Sequence, residues 1–131
     1  MSEYFNKVKE YLLDLEYSIV SEDAAEELFV VEKEDDGISN VIIDCEDSFL
    51  IIEGLLFEME KGTEEIFVSL LKKNREVVHG AFSLDETGKK VIFRDTLQLE
   101  NLDQNELEAS LNSLKLILSE YSEELIEFSK A

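Results

Sequence analysis

The sequence predicts an α+β fold: an antiparallel β-sheet of about five to six strands with N-terminal, middle and long C-terminal helices. Three observations carry this. Apolar residues recur at helical spacing at both ends of the chain, and short β-prone runs separated by turn residues fill the region between them. The chain has 131 residues, enough for a single hydrophobic core, so residues 1–131 are expected to form one domain.

Ser2 is placed to cap a first helix over residues 3–16. In it Tyr4, Phe5, Val8, Tyr11, Leu12 and Leu15 form the apolar face, and Glu3 sits near the positive end of the dipole. The runs YSIVS, ELFVVEK, SNVIIDC and SFLIIEGLLFEM then read as a meander of strands, broken by the turn-forming EDDG and CEDS. Thr63, Glu64 and Glu65 open a middle helix over 63–74, which Lys72, Lys73 and Asn74 close. A hairpin over 77–84 and 90–98 follows.

Asp103 and Glu106 have the spacing of a capping box. After them Leu107, Leu111, Leu114, Leu118, Tyr121, Leu125 and Phe128 alternate at steps of four and three. One helix of about seven turns would span roughly 40 Å, longer than a typical strand of about 17 to 20 Å. Its stripe serves either a sheet or a coiled-coil seam; sheet packing is preferred, with an overhang available to a partner.

The last hairpin admits two registers. A loop ETG pairs His79 with Asp95 and Phe82 with Ile92, whereas a loop DETG pairs Phe82 with Val91 and Gly80 with Phe93. The second is favoured because it gathers Val78, Phe82, Leu84, Val91, Phe93 and Leu97 on one face and sends His79, Ser83, Arg94 and Thr96 to the other. It also explains Gly80, which leaves room for the Phe93 ring to lie across the strand. Its cost is Asp95, stranded on the apolar face where a carboxylate needs water or a donor.

Composition narrows the partners. With 32 acidic against 12 basic residues the net charge is −20, which repels a phosphate backbone and an anionic lipid surface. Nucleic acid and membrane are therefore not expected; a basic or neutral protein partner is. No stretch resembles a signal peptide or a membrane span, and the lone Cys45 has no internal disulfide partner, so the cytoplasm is the expected compartment.

Catalytic motifs are weak. EKEDDGISNVII resembles a calcium loop up to Gly37, but Ile43 stands where a bidentate acid is required, and a hairpin turn explains the segment better. A nucleophile would have to be Cys45 or a serine, with His79 the only histidine to activate it, and Cys45 shares strand parity with Val41 and Ile43, as a core residue would. No phosphate loop or dinucleotide fingerprint occurs. The chain is not expected to be an enzyme or to carry a cofactor or metal.

Apolar surface is more informative. If CEDS closes a tight hairpin, Val41 faces Ile52 and Ile43 faces Leu50 on the core side. Ile42, Phe49, Ile51, Leu55, Phe57 and Met59 then line the opposite face. Either the middle helix or a second subunit is needed to cover that face. Ile51, Leu55 and Phe57 are the candidate interface residues, for a dimer first and a client second.

The segment GAFSLDETGKKVIFRDTLQLENLDQNELEASLNSL, within this order of elements, resembles the YbjN-like proteins. These are related to the CesT or Tir type of type III secretion chaperones, and the resemblance runs in outline from Tyr4 to Phe128. Asp95 departs from the pattern, standing where a small or apolar residue is expected. The resemblance implies a non-enzymatic fold that commonly forms homodimers and, in its chaperone branch, holds an extended segment of another protein. It offers no catalytic residue to transfer. The expected function is a chaperone-like protein-binding module; the alternative is a small-ligand or enzymatic pocket built by His79, Arg94 and Asp95, which requires those three to converge.

Overall fold

A computed structural model describes residues 2–131. The Ser2 hydroxyl accepts the Phe5 amide and starts helix α1 (Glu3–Asp14). Phe5, Val8 and Leu12 on this helix are buried, and the Phe5 ring stacks on Phe29 with centroids 4.3 Å apart. Strands β1 (Ser18–Asp23), β2 (Leu28–Lys33), β3 (Ile38–Glu46) and β4 (Phe49–Glu58) follow as the meander. Helix α2 (Glu64–Lys73) intervenes before β5 (Ala81–Leu84) and β6 (Lys90–Gln98). The sheet is antiparallel throughout, in the order β1-β2-β3-β4-β6-β5. The EDDG segment closes the β2–β3 hairpin with a 3-10 turn and a left-handed Gly37, and the Asp36 carboxylate is held by Lys33 and Lys115.

The C-terminal stripe forms two helices rather than one. Asp103 accepts the Glu106 amide at 2.8 Å and opens α3 (Gln104–Glu120); Tyr121 interrupts it, and α4 (Ser122–Phe128) turns back onto the sheet. Nothing overhangs as a seam: Leu125 is buried, Phe128 meets Phe57, and the Ala131 carbonyl accepts the Glu60 amide. Lys73 fixes this bend. Its ammonium pairs with Glu124 at 2.7 Å and lies over the rings of Tyr121 and Phe128, tying α2 to α4.

Both hairpin registers differ from the sequence expectation by two residues. Ile43 pairs with Ile52 and Cys45 with Leu50, since the turn is only Asp47 and Ser48, with Asp47 left-handed. Phe82 pairs with Phe93 and Leu84 with Val91, and Val77 to Gly80 lie outside the strand. A shift of two preserves which face each side chain takes, so Phe82, Val91 and Phe93 are buried as expected.

The third correction is on β4. A bulge at Leu56 moves the register between Leu55 and Phe57, so Phe57 and Met59 turn into the core instead of continuing the outer face. The helices α1, α3 and α4, with Ile66 and Leu70 of α2, share one buried cluster with the inner residues of the sheet. Helix α2 does not cover the other face; it lies beside the β5 edge, where the Asn74 side chain accepts the Phe82 amide at 2.7 Å and donates to its carbonyl at 3.3 Å. That amide group acts as one residue of a further strand and blunts the edge.

Candidate protein-binding surface

Directly opposed residues share a face of a sheet, so the strand pairings trace rows across the uncovered side. One row runs Val30, Ile42, Glu53, Arg94, Ala81, and the next runs Leu28, Asp44, Ile51, Thr96. Two shorter rows are Glu46, Phe49, Gln98 and Leu55, Ile92, Ser83. Ile42, Phe49 and Leu55 are exposed there, Leu55 by 53%, and Leu28, Val30, Ile51 and Ile92 are half-buried. The patch exists because β2 and β4 are apolar on both faces, with Ile42 of β3 and Ile92 of β6 beside them, while the chain's helices cover one face.

Of the three interface residues proposed from the sequence, Ile51 and Leu55 lie on this surface. Phe57, only 7% exposed, packs on Phe128 beneath the sheet. Sequence reasoning did not single out Asp44 and Glu46, which stand in the same rows as Ile51 and Phe49. Strand alternation from Ile42 would have found them. Arg94 meets Glu53 at 2.8 Å, but among the described residues no lysine or arginine pairs with Asp44 or Glu46. Burial and the neighbouring carboxylates of Glu46, Glu26 and Glu53 hold the Asp44 carboxyl above the usual carboxylate range.

The alternative pocket does not assemble. Arg94 points to the outer face, while Asp95, next along the strand, points to the inner one opposite Ile52. His79 is exposed ahead of β5, its backbone bonded to Ser113, whose hydroxyl donates to the His79 carbonyl at 2.7 Å. A groove of about 280 Å³ beside His79, lined by Val77, Val78, Ser113 and Leu116, includes neither Arg94 nor Asp95. Asp95 Oδ1 accepts the Thr96 amide; Oδ2 and the Ser110 hydroxyl are buried without a partner among the described residues.

Cys45 and His79 are similarly apart: Cys45 is on β3 and His79 precedes β5, and with β4 and β6 between those strands, spaced about 4.8 Å, β3 and β5 alone are separated by roughly 14 Å. Burial, with the charges of Glu27 and Asp44, pushes the Cys45 thiol up to about 12. Iodoacetamide at pH 8 is therefore expected to alkylate the folded protein slower than the urea-unfolded chain by on the order of a thousandfold, followed by intact mass. Equal rates in the two states would show the thiol to be free of the core.

A second apolar area flanks α2. Val68 and Leu71 are exposed, and a groove of about 230 Å³ runs between Phe67, Leu70, Leu71 and the β5 residues Phe82 and Leu84. Among the described residues no helix is long and apolar enough to cross a membrane.

Comparison with known proteins places this architecture. The chain resembles a chain of the HopA1–SchA chaperone–effector complex, at 15% identity and a TM-score of 0.63 over 98% of this chain and 94% of that one. It resembles SycH, a type III secretion chaperone of Yersinia pestis solved with a fragment of YscM2, at 14% identity and TM-score 0.61, covering 96% and 99%. YbjN from E. coli aligns at 12% identity and TM-score 0.65 over 91% of each chain. No curated protein matches by sequence. These likenesses show a shared fold; the CesT_Tir_1 family model matches residues 1–131 outright, and the chain belongs to that family.

Proposed function

We propose that the chain is a non-enzymatic, chaperone-like protein-binding module of the cytoplasm, working as a homodimer that holds a segment of another protein on its open sheet face. The carrying observation is that face: Ile42, Phe49, Ile51 and Leu55 form an apolar surface that none of the chain's helices covers. Family membership supports the reading, as do solved relatives described as a chaperone–effector complex and as a chaperone bound to a partner fragment. Self-association is assigned to the flank of α2, where Val68, Leu71 and Leu84 are exposed beside an apolar groove. Self-pairing through the open sheet would instead bring Asp44 and Glu46 of two chains with net charge −20 together.

Ile51→Asp with Leu55→Asp is expected to abolish retention of the partner on an affinity column loaded with the protein, with the circular dichroism spectrum unchanged. If both forms hold the same polypeptides, as identified by mass spectrometry, the open face is not the binding surface. Light scattering should give twice the 15.1 kDa chain mass for the wild type and for that variant, and the single chain mass for Val68→Asp with Leu71→Asp. A wild-type monomer would remove the homodimer.

A further inference from the structure

We infer that the segment held on the open sheet face is a basic amphipathic helix, with two cations one helical turn apart seated on Asp44 and Glu46. The inference rests on the functional reading above and adds the chemistry of the partner.

Backbone geometry selects a helix. A strand laid flat on a sheet face would bury amide and carbonyl groups that the face, made of side chains, does not satisfy, whereas a helix satisfies its own. Strand addition belongs at an edge. The β5 edge is blunted by Asn74, and the β1 edge is bulged near Val20 and carries Glu22 and Asp23. The open face offers Ile42, Ile51 and Leu55 across adjacent strands, a width that suits a helix about 10 to 12 Å across.

Charge selects a basic one. Arg94 and Lys90 are already paired with Glu53 and Glu58, so the carboxylates of Asp44 and Glu46 are uncompensated beside the apolar patch. Beyond its burial, the Asp44 carboxyl is raised by the carboxylates of Glu46, Glu26 and Glu53, and that repulsion is relieved by an incoming cation and worsened by another acid. Backbone spacing agrees: the Cα atoms of Asp44 and Glu46, two apart on a strand, lie about 6.7 Å apart, and residues four apart on a helix rise about 6 Å; the two carboxyl groups lean together, and the cations would replace that contact. A second copy of this chain, at −20, meets neither requirement.

The test uses the full chain and three fluorescein-labelled 18-residue helical peptides sharing one leucine face, with lysine, glutamine or glutamate on the flanks. Anisotropy at low and moderate salt reads the affinities. The lysine peptide is expected to bind most tightly, the glutamate peptide least. Asp44→Asn with Glu46→Gln should weaken the lysine peptide about fivefold and leave the glutamine peptide unchanged. Glu120→Gln with Glu123→Gln removes equal charge from the helical side and should change binding less than about twofold. Equal weakening by both charge pairs, or equal affinity for lysine and glutamine peptides, overturns the basic-helix inference while sparing the binding face. If Ile51→Ser with Leu55→Ser leaves lysine-peptide binding intact, or if no peptide binds the wild type, the functional reading falls with it.

Discussion

Gly80→Ala is expected to cost about 3 kcal/mol of folding stability, measured by urea denaturation. Two penalties combine. Gly80 has φ +77°, where a side chain crowds its own backbone. An added Cβ would also lie 2.5 Å from the Phe93 ring and 3.1 Å from the Arg94 carbonyl oxygen. The ring is fully buried between the sheet and the helices, so relief must come from moving backbone or repacking the core. Gly88→Ala separates the two penalties: its φ is +73° with nothing within 4 Å of the added Cβ, so it should cost only about 1 kcal/mol. Equal costs at the two positions would show that contact with Phe93 carries no energy.

The same glycine marks how far the sequence could be read. The sequence predicts a close approach of Phe93 to Gly80 from a register that pairs them; in the structure Phe93 pairs with Phe82 and reaches Gly80 diagonally. Hydrophobic alternation has period two and cannot distinguish registers that differ by two. The difference is made by turns, by Asp47 and Ser48 in one hairpin and by the Asp85 to Lys90 turn in the other. Face assignment thus survived for Phe82, Val91 and Phe93 where pairing did not, and Asp95 is on the apolar side as its parity requires; Val78, expected on that side, lies ahead of β5 and is exposed, and Leu84 at the strand end is exposed as well.

Where alternation itself breaks, side chains change sides. Nothing in LLFEM announces the bulge at Leu56, because its cause is distant: Phe57 turns inward to meet Phe128, brought there by α4. The break before α4 has no glycine or proline to mark it. It coincides with Lys73, fifty residues or so earlier in sequence, pairing with Glu124 and covering two aromatic rings. Of the candidate surface, Ile51 and Leu55 were legible from strand pattern. Asp44 and Glu46 looked like two acids among 32, and only their position beside an uncovered apolar patch distinguishes them.

Phe29→Ala is expected to be the most damaging change in the molecule, at about 4 kcal/mol, with the melting temperature falling by roughly 12 to 20 °C. Phe29 lies on β2 opposite Ile43, with no exposed surface, and its ring is stacked on Phe5 with an interplanar angle of 4°. Truncation removes that apolar contact and leaves a cavity between two rigid elements, the sheet and α1, neither of which can close it without losing Val8 and Leu12 packing. The two rings should be coupled. Phe5→Ala together with Phe29→Ala should cost about 1 kcal/mol less than the sum of the single changes, since the stacking contact is lost only once. Strict additivity would mean that each ring is held by the rest of the core and that the stack is incidental. The comparison also bears on function, because β2 presents Leu28 and Val30 to the open face from either side of Phe29. A change beneath the sheet that loosens β2 should weaken peptide binding only as far as it unfolds the protein. Ile51→Ser with Leu55→Ser should instead abolish binding while shifting the melting temperature by less than Phe29→Ala does, since Leu55 is exposed and Ile51 only half-buried.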